Sequence, residues 1–187
     1  MLKKELRLIY NKKRNEISQK KLLEDSLTIA NNLLELNFIW SFNYYHIFLP
    51  IVRKKEIDTS FILSILQGKD KNVLLPKIEN STTLVNYLLT DSTLIKNNKW
   101  AIPEPVDGIE VPTNKIEVIF IPLMGFDKQG NRVGYGKGFY DKLLKECNPN
   151  TLKIGLSLFN AEDKITDIYE GDIPLDYCVT PNKTYSF

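Results

Sequence analysis

Apolar side chains recur at helical spacing through the first 34 residues of the chain. In the first segment the repeating positions are Leu2, Leu6, Ile9, Tyr10 and Ile17, with basic residues between them. Ser18 is of a residue type that commonly caps a helix N-terminus. A second apolar series follows it: Leu22, Leu23, Leu27, Ala30, Leu33 and Leu34. The pattern therefore predicts two helices separated at Ser18.

Short apolar runs alternate with further helical segments along the rest of the chain. The runs predict strands at 44–49, 73–75, 83–89, 116–121, 152–158 and 177–179. Helices are predicted at 61–66, with Asp58 or Thr59 as N-cap, and at 139–147. Proline-containing residues 91–115 are predicted to form a long ordered loop. Strands separated by helices favour a mostly parallel sheet with helices on its faces. We therefore predict a three-layer α/β/α fold in one domain over residues 1–187.

Charge and composition argue against several classes of function. The 25 basic and 23 acidic residues give a net charge of +2, which offers no electrostatic basis for binding nucleic acid or an anionic membrane. No apolar stretch approaches the about 20 residues that span a bilayer, and no signal-peptide core follows Met1. Cys147 and Cys178 are expected to fill small core spaces in a reducing compartment, the cytoplasm. His46 is expected to be structural, and we expect a monomer or weak dimer.

Three alternating glycines mark the most informative segment of the chain. Gly134, Gly136 and Gly138 follow the predicted strand 116–121 and precede the predicted helix 139–147. Glycines let backbone N–H groups turn toward an anion without obstruction by a Cβ atom. A strand, a glycine-rich turn and a helix N-terminus together favour a phosphate-binding site.

Charged residues within the same segment strengthen this interpretation. Arg132 offers a planar fork of donors and Lys137 a mobile point charge, both suited to phosphate. Asp141 is an oxygen ligand of the kind that magnesium accepts beside nucleotide phosphates. The segment is therefore expected to bind a nucleotide, with a flexible glycine loop and solvated charges as the alternative.

Two common phosphate motifs do not fit this segment. In a P-loop, four residues separate the first glycine from Gly-Lys-Ser/Thr, but here Gly130 precedes Gly136 by one residue too many. Gly138 also stands where that motif has its magnesium-binding hydroxyl. The dinucleotide pattern Gly-x-Gly-x-x-Gly fails at its last interval.

Residues 125–141 instead resemble a signature of the 5-formyltetrahydrofolate cyclo-ligase family. They match Gly-Phe-Asp-x-x-Gly-x-Arg-x-Gly-x-Gly-x-Gly-Phe-Tyr-Asp without a gap. Other segments similar to the family pattern occur in the same order: Lys3 with Arg7, 48–50, 56–59, 100–105, and Asp172 with Asp176. The resemblance implies the same three-layer fold. It also implies a magnesium-dependent closure of 5-formyltetrahydrofolate to 5,10-methenyltetrahydrofolate, driven by ATP, which is released as ADP and phosphate.

The resemblance also implies roles for individual residues. ATP contacts are expected from Lys3, Arg7, Arg132, Gly134, Tyr135, Gly136, Lys137, Gly138, Phe139 and Tyr140. Among these, Arg7, Arg132 and Lys137 are expected to act on the transferred phosphate, whose transfer depends on positioning and charge neutralisation. Magnesium ligands would be Asp141 and Asp172. Taken alone, Asp172 is equally well interpreted as a solvated loop carboxylate, and Lys3 and Arg7 as a solvated helix face.

The folate side of the expected site rests on Glu56. The resemblance implies that this carboxylate accepts hydrogen bonds from the pterin, with Asp58 as the alternative because the spacing after Pro50 is longer than in many members of the family. Apolar walls for the pterin and aminobenzoyl rings are expected from Leu49, Trp100, Tyr135, Phe139 and Tyr140.

Three other functions remain open from the residues alone. A small-molecule kinase would share the phosphate site without needing Glu56. A sugar-phosphate isomerase or CoA-transferase relative would need a catalytic carboxylate near the glycines, and only Asp127 is available. A nucleic-acid-binding module would use the basic residues of the first 21 positions.

Overall fold

A seven-stranded sheet forms the centre of the protein. The computed structural model describes residues 1–187. Its eleven strands are β1 (Tyr44–His46), β2 (Asn72–Ile78), β3 (Leu84–Leu88), β4 (Ile95–Asn97), β5 (Pro103–Pro105), β6 (Val118–Pro122), β7 (Gly125–Phe126), β8 (Arg132–Val133), β9 (Leu152–Leu156), β10 (Tyr177–Val179) and β11 (Thr184–Ser186). The central sheet has the order β11-β10-β9-β6-β1-β2-β3.

Five adjacent strands of this sheet are parallel. The pairs β10/β9, β9/β6, β6/β1 and β1/β2 run parallel, whereas β11 and β3 join the two edges antiparallel. The carboxyl ends of β1, β6 and β9 therefore meet at one edge of the sheet. Ligands of open α/β sheets bind at this edge.

Helices cover both faces of the sheet, as predicted. The helices are α1 (Lys3–Glu16), α2 (Gln19–Leu34), α3 (Ser60–Gly68) and α4 (Phe139–Glu146). Along β6, Val118 and Phe120 point into the core shared with α2 and α3, and Ile119 and Ile121 point into the core shared with α4. This alternation is the period of two that a strand buried on both faces requires. The predicted three-layer fold is confirmed.

The first helix occupies a different place from the other three. Leu6 and Tyr10 of α1 pack in a separate small core with Met124, Val133 and Ile165, beside the β7–β8 hairpin rather than on the central sheet. Ser18 caps α2 as predicted, because its hydroxyl accepts a hydrogen bond from the Lys21 N–H at 3.2 Å. Because α1 packs beside the β7–β8 hairpin, its cationic residues lie next to the segment that follows β8.

The structure corrects the sequence prediction in three places. The glycines do not directly follow the buried strand β6, because the β7–β8 hairpin intervenes. The predicted loop 91–115 contains the β4–β5 hairpin, and β11 was not predicted at all. The strands of the β4–β5 and β7–β8 hairpins have only two or three residues each and no apolar run, so apolar spacing did not reveal them. None of the helices combines the length and apolar character required to cross a membrane.

Candidate active site

The glycine loop, residues 134–138, lies between β8 and the first turn of α4 and presents unpaired backbone donors. No N–H group from residue 134 to residue 141 donates to an acceptor in the protein. Gly136 (φ +90°) and Gly138 (φ +71°) adopt the left-handed region that favours glycine. Consecutive free N–H groups that lead into a helix N-terminus form an anion-binding concavity. This geometry agrees with the predicted phosphate site.

Arg7 ties α1 to the glycine loop. Its Nε atom donates to the Gly134 carbonyl oxygen at 2.8 Å. Its Cζ atom is 3.4 Å from the position that a Cβ atom on residue 136 would occupy. The terminal nitrogens of this guanidinium make no hydrogen bond within the protein, so they are free to bind an anion held by the loop.

The other two predicted phosphate cations differ in exposure. The Lys137 side chain is exposed at the outer side of the loop and forms no salt bridge. Arg132 is largely buried: one terminal nitrogen donates to the Ile173 carbonyl and the other to Asp141 Oδ1 at 2.5 Å. Burial lowers the pKa of the Arg132 guanidinium, and the Asp141 charge opposes this shift. Arg132 thus already connects β8 to α4 and to the segment around Ile173.

The two predicted magnesium ligands stand in different environments. Asp141 Oδ1 accepts from Arg132 and, at 3.4 Å, from the Ile173 N–H, whereas Oδ2 accepts no hydrogen bond. Asp172 Oδ2 forms a salt bridge with the buried Lys3 and accepts from the Tyr169 N–H at 2.8 Å. Partial burial raises the pKa of Asp172, but these hydrogen bonds and charges prevail and lower it below its usual range.

The donor set tests whether magnesium fits here. No cluster of three or more His, Cys, Asp and Glu side chains could hold a metal ion on its own. Magnesium beside nucleotides commonly takes one or two carboxylates and completes its shell with phosphate oxygens and water. The free Oδ2 of Asp141, at the start of α4, fits this mode of binding.

Glu56 is buried behind the glycine loop. Its Oε2 accepts from the Ile51 N–H at 2.6 Å, and its Oε1 accepts from the Tyr135 hydroxyl at 2.5 Å. Burial raises the pKa of the Glu56 carboxyl, and these hydrogen bonds with the nearby charges of Arg14 and Lys54 oppose the rise. Asp58 instead accepts from the Ser60 N–H at the start of α3. Of the two candidate carboxylates, Glu56 is the one in contact with the glycine loop.

The predicted aromatic walls are not all in one place. Tyr135 lies over Glu56, with the Lys54 ammonium 3.6 Å from its ring centroid. The Tyr140 hydroxyl is 3.3 Å from His46 Nε2, and the two rings meet edge to face. Leu49 is half-buried against the α2–α3 core, and Phe139 is half-buried against the α4 core. Leu49 follows the carboxyl end of β1, and Phe139 and Tyr140 lie in the first turn of α4.

Trp100 is the outlying member of the predicted set. It lies at the tip of the β4–β5 hairpin with 43% of its surface exposed. Its carbonyl oxygen accepts from Arg53 at 2.6 Å, which is its link to the segment that carries Glu56. The indole is therefore near the rim of the site and is not packed into it.

Comparison with known proteins identifies the family. A family model described as 5-formyltetrahydrofolate cyclo-ligase matches residues 1–181. A Haemophilus influenzae 5-formyltetrahydrofolate cyclo-ligase is 34% identical over 127 residues, which cover 64% of this chain and 67% of that protein. A probable 5-formyltetrahydrofolate cyclo-ligase of Schizosaccharomyces pombe is 28% identical over 196 residues, covering 97% of this chain and 96% of its own. The chain belongs to the 5-formyltetrahydrofolate cyclo-ligase family.

Solved structures agree with this assignment to the cyclo-ligase family. The 5,10-methenyltetrahydrofolate synthetase of Aquifex aeolicus superposes with a TM-score of 0.85 at 30% identity, covering 100% of this chain and 93% of that one. The Mycoplasma pneumoniae 5,10-methenyltetrahydrofolate synthetase, at 24% identity, has the same fold with a TM-score of 0.78, covering 97% and 99%. The protein is therefore an enzyme of the ligase class with the predicted fold.

The structure also places Arg14 at the site, a role that the sequence analysis did not predict. This arginine is only 4% exposed and donates to the Tyr135 hydroxyl and to the Leu123 carbonyl, both at 2.7 Å. Helical spacing offered a signal, because Leu6, Tyr10 and Arg14 recur every four residues and share one face. An arginine that continues an apolar face is expected to be buried and paired.

Asp127 is fully buried, but its position does not suit a catalytic role. Its carboxylate oxygens accept from the N–H groups of Gln129, Asn131 and Ile165 and from the Asn131 side chain. The carboxylate thus closes the turn of the β7–β8 hairpin and ties it to Ile165, and both of its oxygens are occupied by these bonds. The arrangement disfavours an isomerase or transferase that would use Asp127 as a base.

Proposed function

We propose that this enzyme uses ATP and magnesium to cyclise 5-formyltetrahydrofolate to 5,10-methenyltetrahydrofolate, releasing ADP and phosphate. The observation that carries the proposal is the contact between Tyr135 and Glu56. It joins a loop of free backbone donors, suited to phosphate, to a buried carboxylate suited to a pterin. A kinase without a folate substrate would have no use for this carboxylate.

In this proposal the ATP phosphates bind the glycine loop. The free N–H groups of residues 134–141 and the α4 N-terminus would surround the phosphate oxygens. Arg7, already fixed to Gly134, would direct its free terminal nitrogens at the transferred phosphate, and Lys137 would close over it from solvent. Such prearranged positive charge stabilises a phosphoryl-transfer transition state.

Lys3 and Arg132 would act through fixed pairs. Lys3 is held by Asp172, and Arg132 by Asp141, so each cation is oriented before the nucleotide arrives. Magnesium would bind the free Oδ2 of Asp141 together with phosphate oxygens, and when bound it would neutralise part of their charge. Asp172, whose Oδ1 has no partner, is the second candidate ligand.

The folate would bind on the other side of Tyr135. Glu56 would accept hydrogen bonds from the pterin amino and ring N–H groups, which replace the bond from the Tyr135 hydroxyl. Tyr135, Tyr140 and Leu49 would then supply apolar surface to the pterin and aminobenzoyl rings. Trp100 would cover the outer part of the folate from the β4–β5 hairpin.

The chemistry requires that a poor leaving group be activated. The formyl oxygen would attack the γ-phosphorus of ATP, and the bond to the bridging oxygen would break to release ADP. N10 would then attack the formyl carbon and lose its proton. Departure of the oxygen as inorganic phosphate would complete the methenyl bridge. The protein contributes position and charge, and no general base is required for the attack by N10.

A spectroscopic assay with the purified protein tests the proposal. Magnesium, ATP and 5-formyltetrahydrofolate should together produce the methenyl-folate absorbance band, with one ADP formed for each methenyl product. Omission of any one component should abolish the rise. ADP formation without the band would contradict the proposal and favour a kinase or ATPase.

A further inference from the structure

Arg14 is the most deeply buried arginine of the site, and it lies outside the predicted set. Its side chain leaves α1 two turns after Arg7 and reaches between the glycine loop and the end of β6. Its two terminal nitrogens are bonded to Tyr135 and Leu123, but its Nε atom has no partner although it is buried. A buried guanidinium with an unpaired donor is costly to maintain, which points to a role beyond packing.

Arg14 shares a small cavity with Glu56. The cavity is too small to hold a water molecule, and Phe48, Ile57 and Leu156 form its apolar walls. Arg14 and Glu56 are also joined through Tyr135, whose hydroxyl accepts from Arg14 and donates to Glu56 Oε1. A chain of hydrogen bonds thus runs from the α1 cation through the glycine loop to the buried carboxylate.

We propose that Arg14 is a positioning residue for the folate-binding carboxylate: it holds the Tyr135 hydroxyl and supplies the buried positive charge that keeps Glu56 ionised when a pterin displaces Tyr135. This inference rests on the proposed function, because it assigns the pterin to Glu56. In this proposal Arg14 acts on the folate through Tyr135 and Glu56, whereas Arg7, from the same helix, acts on the phosphates.

Four groups face Glu56 from the surrounding elements. They are Arg14 from α1, Lys54 from the turn after β1, Tyr135 from the glycine loop and Tyr140 from α4. The two cations oppose the effect of burial on the Glu56 carboxyl, and Lys54 is the more exposed of them. Because the protonated carboxyl accepts hydrogen bonds poorly, the loss of Arg14 should weaken folate binding most at low pH.

The test is the pH dependence of folate and ATP kinetics in Arg14→Met and Arg14→Lys. For Arg14→Met we expect the KM for 5-formyltetrahydrofolate to rise roughly tenfold while the KM for ATP changes less than about twofold. The acid limb of kcat/KM for folate should move to higher pH by about one unit. Arg14→Lys should return the limb toward its original pH but retain part of the KM increase, because one ammonium cannot hold both Tyr135 and Leu123.

Two controls distinguish the proposed positioning role of Arg14 from a purely structural role. Lys13→Met removes a neighbouring exposed cation of the same helix and should change neither the folate KM nor the acid limb. Thermal unfolding of each variant reports whether the fold is retained. If Arg14→Met does not fold, Arg14→Lys carries the test. In that case either of two results for Arg14→Lys would overturn the proposal. One is a folate KM equal to that of the wild type, and the other is an acid limb moved as far as expected for Arg14→Met.

A titration of Glu56 by carbon-13 NMR of the free protein separates this inference from the proposed function. The Glu56 carboxyl signal, assigned with Glu56→Gln, should titrate at higher pH in Arg14→Met than in the wild type. An unchanged titration would overturn the role of Arg14 whatever the substrate is. A displaced titration in a protein that forms no methenyl product would instead overturn the proposed function, and with it the folate part of this role.

Discussion

The proposed site has two ends, a phosphate end at the glycine loop and a folate end at Glu56, and they are built in opposite ways. At the phosphate end, the glycine loop has free N–H groups, Lys137 is exposed, and Arg7 has free terminal nitrogens. At the folate end, both oxygens of Glu56 already accept hydrogen bonds, and the cavity beside Arg14 is small. The first end offers donors to an anion directly, whereas the second must exchange an internal hydrogen bond for one from its ligand.

This difference predicts how each substrate binds. Nucleotide binding gains charge-assisted hydrogen bonds from donors that now face solvent. In the proposed mode of binding, folate must first displace the Tyr135 hydroxyl from Glu56, so part of its interaction energy is used to open the site. Because Tyr135 belongs to the glycine loop, the two ends meet at one residue. Variants that act on only one end test the comparison.

The largest effect is expected from Lys137→Ala at the phosphate end. In the proposed mechanism Lys137 contacts the transferring phosphate, so its removal should reduce kcat/KM for ATP roughly 100- to 1,000-fold, about 3–4 kcal/mol of transition-state stabilisation. The side chain is exposed and unpaired, so the thermal unfolding midpoint should not change. Steady-state kinetics and calorimetry measure the two quantities. Lys142→Ala, which removes an exposed lysine of α4, serves as the control, and equal losses in both variants would refute the assignment.

The next effect concerns the folate end. Glu56→Gln should raise the folate KM by roughly tenfold or more, since a hydrogen bond to a charged group is worth about 1.5–3 kcal/mol. The KM for ATP should stay close to its original value, because the glycine loop donors are retained. Asp58→Asn is the matched control and should affect only the start of α3. If Asp58→Asn raised the folate KM instead, the carboxylate assignment would be wrong.

Asp141→Asn should affect the phosphate end through magnesium. Loss of the negative charge should raise the magnesium concentration needed for half-maximal activity by roughly tenfold, equivalent to about 1.4 kcal/mol. The folate KM at saturating magnesium should be retained. Titration of magnesium against the initial rate measures the shift. An unchanged midpoint would remove Asp141 from the metal site.

The last prediction concerns the stability of the fold and leaves both substrates unaffected. His46 is fully buried, and burial lowers its pKa to about 4 from 6.5. Because the pKa of His46 is lower in the folded protein, the contribution of this residue to stability is fully present above pH 6.5 and is lost as the pH falls toward 4. Between pH 7 and 5 this one residue should reduce the free energy of unfolding by about 2 kcal/mol. Urea unfolding at both pH values should show this loss in the wild type but not in His46→Gln, and parallel losses would contradict it.

The sequence predicted the elements that are marked by a regular spacing of apolar residues or by glycines in a turn. The strands of β6 and β9 and the helices α1, α2 and α4 were predicted from apolar spacing. The glycine turn before α4 was predicted from the glycines together with Arg132, Lys137 and Asp141, and the structure shows a loop there with free backbone donors. The parallel sheet and its two helical layers followed from the order of these elements, and both are confirmed.

The sequence failed where the decisive contact is distant along the chain. Arg14 was grouped with the basic residues around α1, although its partners Leu123 and Tyr135 lie more than 100 residues away. The β7–β8 hairpin has strands too short to show alternation, so the glycines seemed to follow β6 directly. Trp100 matched the family pattern by local sequence, but only the fold shows that it lies at an exposed hairpin tip.

Oxygen tracing tests most directly the claim that ATP phosphorylates the formyl oxygen. With 5-formyltetrahydrofolate labelled by oxygen-18 in the formyl group, the label should appear in the released inorganic phosphate, one atom for each methenyl product. Mass spectrometry of the phosphate measures this transfer. Unlabelled phosphate, with the oxygen recovered in water, would show that the formyl oxygen is never phosphorylated and would rule out the proposed mechanism.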